Sequence, residues 1–259
     1  MLPIGDDNSD RRSAPVVTWA LIAANVLVFV LLQGLGTNLR FTYAFATVPA
    51  EILSGKDLVT RGEVAEDPIT GDRFEVPGLE PTPGSVYFTL LTSMFMHGGL
   101  MHLLGNMLFL WIFGDNVEDR LGKGRYLTFY LLCGLLASLS HVAATALLDD
   151  NRMVPSLGAS GAISGVLAGY LALFPHRRVR VLLTLGFFAR LTEVPALVAI
   201  GLWFVFQLIS GIGMLGARNQ SGGVAYAAHI GGFVAGYLLV RLFDRGPAAP
   251  AFRTVQAPW

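Results

Sequence analysis

Charge is what this sequence has least of. Only 14% of its 259 residues are Asp, Glu, Lys or Arg, against roughly 25% in an ordinary soluble domain. The formal net charge is zero, so no overall field favours nucleic acid or an acidic substrate. A single cysteine, Cys133, excludes an intrachain disulfide, and its apolar neighbours suit packing. No HExxH motif occurs, so the commonest helical zinc signature is missing. The first apolar run is expected to stay in the chain rather than be cleaved as a leader. It is long, and no small-x-small site leads from it into a soluble domain.

What the sequence has in excess is apolar surface: 53% of residues are hydrophobic and the mean hydropathy is +0.58. The missing charge is absent from long windows and gathered between them, the pattern of an all-α membrane protein. Six spans are expected. They are Val16 to Gln33, Met101 to Phe113 at the end of a charge-free stretch from Tyr87, Tyr126 to Leu148, Ser160 to Phe174, Val194 to Leu215, and Val224 to Val240. Val181 to Ala189 is apolar but too brief to span, and reads as interfacial or re-entrant. Residues 1–15 and 244–259 read as tails around a membrane domain over 16–243, and residues 34–85 form a long Gly-, Pro- and acid-rich loop without repeats.

Six spans put both termini on one side. Arg11, Arg12, Arg120, Lys123, Arg125, Arg177, Arg178, Arg180, Arg190, Arg241, Arg245 and Arg253 all fall there, while the short loops opposite hold Arg152 and Arg218. By the positive-inside rule the termini are cytoplasmic and the 34–85 loop faces outward.

Polar residues inside spans are costly, which makes each a functional candidate. Ser160, His229, His97 and His102 stand out, with Asn106 one turn beyond His102. The expected topology places all of them in the outer half of the membrane. Gly161, Gly165 and Gly169 form a small-residue stripe on the fourth span, and Gly232 and Gly236 another on the sixth. Such stripes let helix backbones approach closely. Ser160 borders the first, and His229 lies on the face of the second. If the stripes pack together, serine and imidazole meet.

A serine hydroxyl needs a base to become a nucleophile, and histidine suits that work near neutral pH. His102 and Asn106 are four apart, point the same way on a helix, and can both donate to an oxyanion. No acidic residue lies within the expected spans. Each feature also has a plain structural reading. A membrane serine often bonds its own backbone, a lone histidine often packs, glycine stripes often only pack, and an asparagine often glues helices. His97 and His102 diverge on a continuous helix, but would suit a metal if Gly98 and Gly99 broke it.

The chain resembles the rhomboid intramembrane serine proteases in "SMFMHGGLMHLLGNMLFLWIFGDNVEDRLG" (93–122), "GASG" (158–161) and "AYAAHIGGFVAG" (225–236), together with the "VTWALIAANVLVF" opening. The resemblance implies a six-helix bundle with a short fourth helix that starts below the outer surface, so that residues 149–159 dip inward and admit water. It implies Ser160 as nucleophile and His229 as general base, a dyad without an acid. His102 and Asn106 would line the oxyanion pocket with the Ser160 backbone N–H. His97, Gly158 and Gly161 would shape the site, and Glu118 and Arg120 would be structural. No metal or organic cofactor is implied.

Two positions depart from the pattern. The residue four after the serine, aromatic in some members, is Ser164, so another group must hold His229. The region of the outward Trp-Arg pair of many members reads "VYFTLL". The resemblance implies an endopeptidase of a bacterial-type cytoplasmic membrane, cutting in or near the transmembrane segments of other membrane proteins. The alternative is a catalytically silent rhomboid-like protein that binds membrane clients. A transporter or channel would want charge near the midplane, and none is visible there.

Overall fold

The structure, a computed structural model, describes residues 1–66, 71, 73–148, 152–185, 188–216 and 226–246. Arg218, Arg253, the 149–151 segment before Ser160, residues 224–225 of the sixth expected span and the tail from residue 247 lie outside the described residues.

The chain is mostly helical. It opens with strand β1 (Leu2–Asp6) and helix α1 (Val16–Leu27), which runs on through a π-helical segment, Val28–Leu32. Within the long loop lie two short helices, α2 (Leu39–Phe45) and α3 (Pro49–Ser54), and a hairpin of β2 (Glu63–Glu66) with β3 (Arg73–Val76). One-turn α4 (Thr89–Thr92) precedes α5 (Leu100–Leu121) and α6 (Lys123–Leu148). Next come α7 (Ser160–Leu173), a hairpin of β4 (Arg178–Leu185) and β5 (Phe188–Pro195), α8 (Ala196–Gly216) and α9 (Tyr226–Phe243).

Helix α7 is the centre of the molecule. Every residue from Gly161 to Tyr170 is buried, and α5, α6, α8 and α9 pack around it. A helix apolar on all sides has no solvent face and is stable only when enclosed. Among the described residues, α5, α6 and α9 are long and apolar enough to cross a membrane. The segment Val16–Leu32, α7 and the first part of α8 are shorter apolar helices. At 14 residues, α7 rises about 21 Å, short of a hydrocarbon core of about 30 Å.

The structure departs from one sequence expectation and adds to two others. First, the fold is not wholly α. The described residues of Val181 to Ala189, expected as an interfacial or re-entrant segment, sit in the β4–β5 hairpin, whose Val179 and Val181 are fully buried, and 186–187 lie outside the described residues. Alternation, with Arg178 and Arg180 exposed on either side of the buried Val179, is the strand signal. Second, residues 1–15, read as a tail, carry a strand. β1 pairs antiparallel with β4, from Leu2 opposite Leu182 to Asp6 opposite Val179. Tyr170 Oη and Asn116 Nδ2 donate to the Asp6 carboxylate at 2.6 and 2.7 Å. Third, α5 continues eight residues past Phe113, to Leu121, and carries acids in the bundle. Asp115 pairs with Arg11 at 2.6 Å. Both Glu118 oxygens accept from the start of α1: Val17 N–H at 3.0 Å, Thr18 N–H at 2.7 Å and Thr18 Oγ1 at 2.8 Å. Pro15 provides no side-chain cap there, so Glu118 caps α1 from across the interface. Arg120 makes a two-point pair with Asp244 at 2.6 and 3.0 Å.

Candidate active site

Ser160 is the first residue of α7, so its backbone N–H is among those a helix leaves unpaired and turned to its positive end. The preceding turn is fixed by Gly158. Its φ of +135° is a conformation that a side chain resists. A Cβ there would also lie 3.0 Å from His102 Cε1, 3.2 Å from His102 Nε2 and 3.5 Å from Ser160 Oγ. Gly158 therefore lets the His102 ring and the serine come together. Residues 152–159 are stitched to the rest of the chain through backbone bonds. Thr47 and Ser156 exchange bonds of 3.0 and 2.8 Å, Ala50 N–H donates to Arg152 O at 2.8 Å, and Gly158 N–H donates to Ser93 O at 2.9 Å.

His229, in the first turn of α9, is buried. Its Nε2 lies 2.8 Å from Ser160 Oγ. The approach depends on the two stripes. A Cβ on Gly232 would run into the Gly161 carbonyl oxygen, and one on Gly236 into that of Gly165. A Cβ on Gly161 would sit 2.6 Å from Ala137 Cβ on α6. Backbone meets backbone along this seam, which places imidazole and hydroxyl within hydrogen-bond reach.

The remaining candidates come from α5 and the turn before it. His102 Nδ1 accepts from Gly98 N–H at 3.3 Å, which leaves the proton on Nε2, the nitrogen near Gly158. Asn106 lies one turn further on the same face. It is buried, and its Nδ2 has no acceptor. Such a donor is costly to bury unpaired, and an oxyanion would satisfy it. His97 is fully buried with both ring nitrogens unpartnered, and its ring meets His102 edge-on at 5.2 Å. Among the described residues no group of His, Cys, Asp or Glu is arranged to hold a metal. Ser164 is not part of the site: its Oγ donates to the Ser160 carbonyl at 2.6 Å, inside the helix.

Two glutamines were missed. Gln207 of α8 is buried and places Oε1 2.8 Å from His229 Nδ1. One turn earlier, the Trp203 ring lies 6.2 Å from the imidazole. Helix α8 thus fills the place left by Ser164. Gln207 is a lone amide in an apolar run, and the rule that singled out the span histidines covers it equally. Gln33 is fully buried and clamps the backbone of His97. Its Oε1 accepts from His97 N–H at 2.9 Å and its Nε2 donates to His97 O at 3.0 Å. No local pattern ties Gln33 to a residue 64 positions away.

The model of the rhomboid domain matches residues 84–245, more than half of the chain. The chain belongs to the rhomboid family. Among its relatives, the rhomboid protease GluP of Bacillus subtilis is 29% identical over 244 residues, 93% of this chain and 37% of that protein. Rhomboid protein 1, mitochondrial, of Saccharomyces cerevisiae is 32% identical over 58% of this chain and 40% of its own length. The human presenilin-associated rhomboid-like protein, mitochondrial, is 32% identical over 50% of this chain and 36% of its own. The chain thus spans two fifths or less of each of these rhomboid relatives. The rhomboid match takes in every candidate above except Gln33, which lies outside residues 84–245.

Proposed function

We propose that this chain is an intramembrane serine endopeptidase that hydrolyses peptide bonds in or near the transmembrane segments of other membrane proteins. The observation that carries this reading is the 2.8 Å approach of Ser160 Oγ to His229 Nε2 at the head of α7. His229 takes the hydroxyl proton as Oγ adds to the scissile carbonyl. The oxygen that becomes negative is received by the Ser160 N–H, His102 Nε2–H and Asn106 Nδ2. His229 then returns the proton to the departing amine, and water, activated by the same imidazole, releases the acyl group from Ser160. The steps use these side chains, the Ser160 backbone N–H and water.

In the same reading the chain crosses a bacterial-type cytoplasmic membrane six times, through α1 with its π segment, α5, α6, α7, α8 and α9. Both termini are cytoplasmic, and the serine lies toward the outer face. The test is cleavage of a model transmembrane substrate in proteoliposomes. The wild-type protein should cut it, and Ser160→Ala and His229→Ala should not, while all three melt alike. A folded wild-type protein that binds such substrates and never cuts them would instead support the catalytically silent client binder.

A further inference from the structure

We infer that Gln207 is a positioning residue that sets the tautomer and ring plane of His229, so that the site works as a serine–histidine–glutamine triad without a carboxylate. This rests on the proposal that His229 is the base. An imidazole can accept the serine proton only if Nε2 is bare, which requires the ring proton on Nδ1. The buried Gln207 turns its amide oxygen, an acceptor, to Nδ1 at 2.8 Å. That contact favours the Nδ1–H form and leaves the Nε2 lone pair facing Ser160 Oγ, 2.8 Å away on the other side of the ring. As His229 takes the proton, the bond to Gln207 becomes charge-assisted and strengthens.

The sequence position explains why an amide serves. α8 is among the most apolar helices of the chain, and a carboxylate buried in it would be expensive to keep ionised. A neutral acceptor fixes the ring without adding a buried charge. Trp203, one turn before Gln207, borders the ring from the same helix. Direction and contact thus both come from α8, and the aromatic that the fourth helix lacks at Ser164 is not needed.

The experiment measures the rate of fluorophosphonate labelling of Ser160 against pH in detergent for wild type, Gln207→Leu and Gln207→Glu, each checked by thermal melt. Gln207→Leu should melt like wild type yet label roughly 10²-fold more slowly on the plateau, the scale of a misplaced catalytic group. Its acid limb should also move to lower pH, because the imidazolium has lost an acceptor. Gln207→Glu keeps an acceptor oxygen and should recover most of the rate. The inference is overturned if Gln207→Leu labels like wild type at all pH values. It is equally overturned if Gln207→Glu is as slow as Gln207→Leu with the limb unmoved, which would make Gln207 a packing residue. Wild type that labels no faster than His229→Ala would instead remove the base itself, a separate failure.

Discussion

Ser160 and Ser164 lie one turn apart on the same helix, and their surroundings give them different fates. Ser164 is fully buried and returns its hydrogen bond to the Ser160 carbonyl, the ordinary behaviour of a membrane serine. Ser160 stands where the helix begins, with an imidazole at 2.8 Å. Ser164→Ala should therefore leave cleavage within a few-fold of wild type, and turnover of a model substrate will show it. Asn106→Ala should slow turnover by roughly 10²–10³, the usual loss for one oxyanion donor, and should raise rather than lower the melting temperature, since an unpaired buried amide is removed. An Asn106→Ala enzyme at full turnover and reduced stability would mark the residue as helix glue. At this scale the sequence was most legible. Ser160, His229, His102 and Asn106 are readable as polar groups in apolar runs, and the structure brings Ser160 Oγ and His229 Nε2 together. Gln207 fits the same rule, but no residue at helical spacing from it marks it out.

Between elements, the decisive contact is the seam of α7 and α9. Overpacking commonly costs about 1–3 kcal/mol, and here the added atoms would meet backbone rather than a movable side chain. Gly232→Val should keep the protein in the membrane but remove most turnover by pushing His229 from Ser160. Leu238→Val, on the exposed side of the same helix, should be nearly silent. Turnover per folded molecule decides it, and equal activity of the two variants would place the helices apart. The glycine spacing foretold this seam because close approach needs small residues at every fourth position. The capping of α1 by Glu118 was not foretold, since a cap supplied by a helix 100 residues away leaves no local trace. Glu118→Gln keeps one acceptor oxygen for the three donors of α1 and should lower stability by about 1–2 kcal/mol, read from detergent melts.

Across the whole molecule, the chain's first residues close the end opposite the serine. β1 is hard to recognise from "LPIGD", because its partner strand lies some 175 residues on and its alternating apolar residues, Leu2 and Ile4, are the exposed ones. Its docking buries Asp6, and that burial pushes the carboxyl up to about 6. Asp115 adds to the rise, while the bonds from Tyr170 and Asn116 oppose it. A raised native value means that the folded protein holds this proton more tightly than the unfolded chain. The contribution to stability is complete below about pH 4 and lost as pH rises through about 6. By linkage the charged form costs about 3 kcal/mol. Asp6→Asn should gain stability relative to wild type from pH 4 to pH 7, and a difference that stays flat across that range would show that Asp6 is not the titrating group.

The central claim is that Ser160 is a nucleophile activated by His229, and the most direct measurement is covalent capture. The intact protein is treated with a fluorophosphonate at neutral pH, digested, and the modified residue located by mass spectrometry. The account predicts one adduct, on Ser160, formed rapidly in wild type, at least 10²-fold more slowly in His229→Ala, and not at all in Ser160→Ala. An adduct formed at the same rate in wild type and His229→Ala, or one on another residue, would contradict it.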